Sequence, residues 1–246
     1  MPDACSRYHA AVMTLILKIA DTQAEALERA AQVVFASLRS GGVLHVFGSG
    51  HSHCLAEEAY HRAGGLVPVN AIQESFLTPL TPPRISGELE RVPGRATRLL
   101  DGHAIRPGDV LLVVSNSGIN PVPIEMAEEG KRRSLRVIAL TSVRHSRSVA
   151  SRHPRGLRLF DVADLVLDNC GEPGDAAVSY PVLLCKVAPT SLLAGSYLIN
   201  ALVCRTVELF LENGLTPPVH LSANVPGGDE HNLALETEYR GRIRGI

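Results

Sequence analysis

The sequence predicts an α/β protein: a parallel sheet covered by helices on both faces. Three observations predict it. Five short apolar runs, at residues 43–47, 66–69, 110–114, 136–140 and 162–167, alternate with stretches of helical spacing. Strands buried on both faces read as such unbroken runs. Aromatic residues make up only 4% of the 246, with no Trp, so the core must be built from Ala, Val, Leu and Ile. Finally, Gly- and Ser-rich segments follow the first and third runs, and open α/β sheets bind ligands beyond the carboxyl ends of their strands.

The elements follow in order. Residues 6–20 and 22–39 read as helices, with Leu15 and Ile19, then Leu27, Ala31, Val34 and Leu38, at helical spacing. Asp21-Thr22 offers a cap between them, and Gly41-Gly42 stops the second. Residues 1–40 thus form an N-terminal helical arm. The first strand, 43–47, ends in Gly-Ser-Gly and leads into a helix over 53–62, closed by Gly64-Gly65. A second strand at 66–69 precedes an irregular, Pro-rich stretch, 71–83. Residues 88–100 suit a helix interrupted at Pro93-Gly94. The third strand, 110–114, passes through Ser-Asn-Ser-Gly into a helix over 122–133. The fourth and fifth strands are separated by a basic surface loop, 144–158. A long apolar helix over 190–212 ends at Gly214. The main domain spans 41–221, and 222–246 form a C-terminal lid or tail.

Composition excludes several classes. Twenty-four Lys and Arg balance 25 Asp and Glu, a net charge of −1, which argues against a dedicated nucleic-acid or anionic-membrane binder. No uninterrupted apolar run reaches the ~18 residues of a membrane span, and the N-terminus lacks the pattern of a cleavable signal. Five scattered cysteines without a C-x-x-C pair suit reduced thiols. The expectation is a cytoplasmic protein with no nucleic-acid or membrane partner.

The chemistry-bearing segments are Gly48-Ser49-Gly50-His51-Ser52 and Ser115-Asn116-Ser117-Gly118-Ile119-Asn120-Pro121. Each combines backbone freedom, hydroxyls and a helix start, the ingredients of an anion site. Four small polar side chains exceed what one helix cap requires, so the second segment reads as a phosphate cradle. No G-K-[ST] follows either loop, which excludes a Walker NTP site. The first loop carries His53 where a dinucleotide motif needs its third small residue, and Asn70 stands after the second strand instead of an acid. A small phosphorylated ligand remains.

Together the two loops resemble the SIS (sugar isomerase) family, whose signatures are a first strand ending G-x-G-x-S and a later one ending S-x-S-G. Ala188-Pro189-Thr190-Ser191 resembles the Ser/Thr-rich start of that family's C-terminal helix. The wider pattern, including Arg62-Ala63-Gly64-Gly65, is similar to a phosphoheptose-isomerase-like subfamily related to N-acetylmuramic acid 6-phosphate etherases and glucosamine-6-phosphate isomerase domains. The resemblance implies a three-layer αβα sandwich with five parallel strands, flavodoxin-like. It also implies a homodimer or homotetramer with a site shared between subunits, and a phosphosugar ligand. Gly50, His51, Ser52, His53, Ser115, Asn116, Ser117, Asn120, Thr190 and Ser191 are then the binding candidates.

The implied chemistry removes the proton beside a carbonyl of a sugar 6-phosphate, with an amino sugar such as N-acetylglucosamine 6-phosphate favoured. Aldose–ketose isomerisation and β-elimination share that step and stay open; a non-catalytic phosphosugar sensor is the alternative. The step needs a carboxylate or His. The family places a catalytic Glu about ten residues beyond the loop Ser, where this chain has Arg62, so Glu58, one turn earlier on the same helix face, is the candidate. Glu90 lies in a segment resembling a glutamate-bearing family element, and His231 follows a Gly-Gly hinge as an acid or base carried by a lid. His51, His53 and His61 crowd one region, but no H-E-x-x-H or Cys pair accompanies them. No metal and no cofactor is assigned. His45, inside the first strand, reads as a packed core residue.

Overall fold

The computed structural model describes residues 3–246; residues 1 and 2 of the predicted arm lie outside the described residues. In chain order the elements are α1 (Asp3–Thr22), α2 (Ala24–Leu38), β1 (Leu44–Gly48), α3 (His53–Ala59), β2 (Val69–Ile72), α4 (Pro83–Glu90), α5 (Ala96–Asp101) and β3 (Val110–Val114). They continue with α6 (Pro121–Arg132), β4 (Arg136–Thr141), α7 (Val143–Ser148), α8 (Leu159–Val162), β5 (Leu165–Asp168), α9 (Ser191–Glu212) and α10 (Gly228–Thr237).

The strands form one parallel sheet in the order β2-β1-β3-β4-β5. Leu44 lies opposite both Val69 and Val110, and Val110 opposite Arg136. Successive side chains point to opposite faces, so each strand feeds two cores. Val46, Leu112, Val114 and Leu140 pack with α2, α3 and α9. Phe47, Leu111, Val113 and Ala139 pack with α5 and α6. The predicted α/β sandwich is therefore observed, with helices on both faces. Of the N-terminal helices, α2 is built into one face: Ala30, Ala31 and Val34 are fully buried there. Phe35 meets Phe210 of α9 edge-on at 5.0 Å, a contact whose truncation to Ala costs ~3–5 kcal/mol.

Several boundaries differ from expectation, each for a local reason. The second strand begins at Val69, not 66, because Leu66 pairs antiparallel with Val219 and Pro68 cannot donate to a ladder. The helix after β1 stops at Ala59 and does not span His53 and His61, so those two histidines do not share its face. The interrupted helix at 88–100 becomes α4 and α5; α4 starts early because Pro83 presets its first turn. The basic loop 144–158 contains α7, whose cap is Ser142 accepting from the His145 amide. The fifth strand starts at Leu165 after the short α8.

Two further features depart from the sequence reading. Helix α9 is long and apolar enough to cross a membrane, with mean hydropathy 1.3, though its polar interruptions hide this from a search for unbroken runs. Here its Leu198, Ile199, Leu202 and Phe210 are buried in the core. The C-terminal segment, expected as a lid or tail, is docked. After α10, Tyr239 and Ile243 pack on Val43 and Val67, which precede β1 and β2. The tail thus closes the amino end of the sheet.

Candidate functional site

Gly48 of β1 lies opposite Val114 of β3, so the two loops leave adjacent strands side by side. In a sheet of this order the connections run in opposite senses from β1 and β3, which opens a crevice at that point. Gly48 is required on the β1 side: a Cβ there would lie 2.2 Å from the Ser52 carbonyl oxygen. The chain then turns through Gly50–Ser52 into α3. His53 Nδ1 donates to the Gly50 carbonyl at 2.5 Å, fixing the turn, while His51 stays exposed.

On the β3 side, Gly118 adopts φ +59°, and a Cβ would meet Thr141 Oγ1 at 2.9 Å. Its amide donates to Ser115 Oγ at 3.2 Å. Asn116 is pinned by the Asn169 amide (2.9 Å) after β5 and by the Ser142 backbone N–H (3.0 Å) after β4. Ser117 remains partly open, and Asn120 stands at the N-cap position of α6, whose first residue is Pro121, without a side-chain capping bond. Beneath Gly118 lies the buried hydroxyl of Ser146, without a partner among the described residues. The loop is thus a rigid, polar, largely neutral cradle.

The candidate acids separate. Glu90, at the end of α4, accepts a hydrogen bond from Ser49 Oγ at 2.9 Å, which brings its carboxylate to the first loop. Glu58 points instead to α9, accepting from Ser196 Oγ (3.1 Å) and Asn200 Nδ2 (2.9 Å) and pairing with Arg62. Its lone pairs are engaged in holding α3 to α9. His231 sits on α10, with Nε2 donating to the Val219 carbonyl at 3.0 Å. Val219 pairs with Leu66, ahead of β2. Within one chain His231 is therefore at the opposite end of the sheet from the loops, so its own chain does not bring it to them.

Thr190 and Ser191 open α9, but an internal anion occupies that helix start. Asp175 accepts from both backbone amides, at 3.1 and 2.8 Å, and from Ser191 Oγ at 2.5 Å. Thr190 also lines a cleft of about 340 Å³ with Lys18, Cys170 and Glu172.

One group was missed by sequence reasoning. Arg152 donates its backbone N–H to the Ile119 carbonyl (2.9 Å) and a guanidinium N–H to Asn120 Oδ1 (3.0 Å). It sets an exposed positive charge at the rim of the cradle. The signal was the basic stretch after the fourth strand, which by position returns to the carboxyl end.

Comparison with known proteins follows the same lines. The family model of the SIS domain matches residues 7–142. A UPF0309 protein from Shouchella clausii is 42% identical over 238 residues, covering 96% of this chain and 97% of its own. A UPF0309 protein from Geobacillus kaustophilus is 43% identical over 220 residues, 88% of this chain and 86% of its own. Among solved structures, a phosphoheptose isomerase from Francisella tularensis superposes with TM-score 0.56 at 18% identity, covering 84% of this chain and 97% of that one. The Vibrio vulnificus NanR protein complexed with ManNAc-6P gives TM-score 0.54 at 18% identity, covering 87% and 66%. At these identities the structural likenesses establish the fold.

Proposed function

Since the chain belongs to the SIS domain family, we propose that it is an enzyme that binds a sugar phosphate in the crevice between the loops after β1 and β3. The observation that carries this is the position of the two loops, side by side at the switch point of the sheet, with the Glu90 carboxylate 2.9 Å from Ser49. Ser52, Ser115, Ser117 and the loop amides hold the phosphate, with Gly50, His51, His53, Asn116 and Asn120 shaping the walls. Arg152 adds a charge-assisted contact at the rim.

Glu90 removes the proton beside the sugar carbonyl, and Ser49 orients its carboxylate. Return of that proton to the neighbouring carbon isomerises the sugar; expulsion of a C3 group gives a lyase. An amino-sugar 6-phosphate is the favoured substrate, and the ManNAc-6P ligand of the NanR neighbour supports that choice. Glu58 acts as a positioning group for α3 against α9. His231 enters this reading only as a group donated to a neighbouring copy. The exposed Val182 and Leu184, between β5 and α9, support association into a homodimer or homotetramer.

The test is incubation with hexose, hexosamine, N-acetylhexosamine and heptulose phosphates, read by mass spectrometry and chromatography. Unchanged mass at a new retention time marks isomerisation, and loss of a C3 substituent marks elimination. Tight binding without turnover would replace the enzyme by a phosphosugar sensor.

A further inference from the structure

Away from the loops, His61, His220 and Glu236 converge at the amino end of the sheet. His61 Nε2 lies 3.0 Å and His220 Nε2 3.2 Å from the same Glu236 Oε1. The three ligand atoms all fall within 4.8 Å of one another, and the two imidazole rings are 4.9 Å apart. In a tetrahedral zinc site with bonds of 2.0–2.1 Å, ligand atoms stand about 3.3 Å apart. The two histidine–carboxylate separations are close to that edge, and the two imidazole nitrogens lie within 4.8 Å of each other.

The cluster is held in place by backbone and amide hydrogen bonds around it. His220 is stitched by its backbone to the turn that follows His61: its N–H donates to the Gly65 carbonyl and its carbonyl accepts from Gly64, each at 2.9 Å. His61 itself holds a left-handed φ of +41°, a conformation a non-glycine residue adopts at a cost. Helix α10, which carries Glu236, is fixed by Asn232, whose amide exchanges two hydrogen bonds with the Leu221 backbone at 2.9 and 3.0 Å. Side-chain exposure runs from 2% at His220 through 18% at Glu236 to 53% at His61. The cluster is therefore anchored on one side and open on the other, where water can complete a coordination shell.

We propose that His61, His220 and Glu236 form a binding site for a divalent transition metal of the zinc class. Two imidazoles and one carboxylate suit such an ion. The site ties together three segments distant in sequence: the turn after α3, the stretch before the tail, and α10. Its role is to clamp the tail across the amino end of the sheet. It is separate from the phosphosugar crevice and does not depend on that reading. It also departs from the metal-free expectation of the sequence, because the three ligands come from positions no local motif connects.

A second trio, His53, Cys54 and Glu57, lies on a single turn of α3. There His53 Nδ1 is committed to Gly50, and the nearest approach to Glu57 is 3.7 Å. It serves as the control.

The test is titration of the chelator-stripped full chain with Zn²⁺ alone, read by calorimetry and by thermal unfolding. The visible spectrum with Co²⁺ reports the donor set. The expected result is one ion per chain and a raised Tm. Glu236→Gln and His61→Asn should each weaken binding by more than the ~10- to 100-fold that loss of an outer-shell partner costs, while His53→Ala binds as before. Asn is chosen at 61 because it tolerates the left-handed backbone, and circular dichroism verifies that each variant folds. Absence of stoichiometric binding, binding unchanged in Glu236→Gln, or loss confined to His53→Ala would overturn the proposal.

Discussion

The two ends of the sheet treat polar groups in opposite ways. At the amino end, charges are buried and paired. Asp109 takes hydrogen bonds from Arg242 on both oxygens (2.8 and 2.9 Å), from His45 Nε2 (3.1 Å) and from the Val43 and Arg106 amides (2.9 and 2.8 Å). Asn70 donates onward to His45 and His103, and the tail seals the cluster from outside. At the carboxyl end the loops after β1 and β3 present small hydroxyls and amides, with the Glu90 carboxylate held beside Ser49 and Arg152 exposed at the rim. Labour is divided accordingly: the charges that hold the fold are buried and mutually paired, and the few charges beside the crevice stand among small neutral groups where a charged ligand can enter and leave.

Disturbing the amino end alone should have the largest effect. Asp109→Asn leaves the Arg242 guanidinium buried without its counter-charge. It should destabilise the chain by about 3–5 kcal/mol in urea unfolding, with phosphosugar affinity unchanged where the variant is folded. Equal loss of affinity would show that the ends are coupled. The converse is Glu90→Gln. It should lower turnover at least ~100-fold, about 3 kcal/mol of barrier, while shifting stability by less than ~1 kcal/mol.

Acid sharpens the same contrast. Burial, with help from nearby His45 and Arg244, lowers the His103 pKa from 6.5 to about 4. Above pH 6.5 His103 is neutral in folded and unfolded chains alike. Below it only the unfolded chain takes the proton, so stability should fall by on the order of 2–3 kcal/mol between pH 6.5 and 4. Burial would raise the Asp109 carboxyl, but hydrogen bonds from His45 and the backbone outweigh it and hold it below its ordinary value. Its loss therefore begins at still lower pH. His103→Asn should flatten the profile, as read by Tm against pH. The smallest effect belongs to the rim: Arg152→Ala should weaken phosphosugar binding about tenfold, about 1.4 kcal/mol, with the deficit shrinking as salt rises.

What was legible in the sequence follows this division. The strands, α9 and both loops could be read because their signals are local: unbroken apolar runs, helical spacing, Gly and Ser at strand ends. His45 could be read as a core residue for the same reason. The tail could not, since its burial depends on Arg242 meeting Asp109, 133 residues away. Nor could the roles of Glu58 and Glu90 be separated, because their difference lies in partners, Ser196 and Asn200 for one and Ser49 for the other. Arg152 escaped for the same reason: its tie to Asn120 crosses 32 positions.

Everything above turns on whether the crevice between the β1 and β3 loops holds the phosphosugar. The most direct measurement is calorimetric titration of a sugar-phosphate panel into the wild type, Ser117→Ala and Gly118→Ala, each verified as folded. At least one sugar phosphate should bind the wild type far more tightly than its unphosphorylated form, with weakened binding in Ser117→Ala and none detectable in Gly118→Ala. Binding by no member of the panel, or equal affinity in Gly118→Ala, would contradict it.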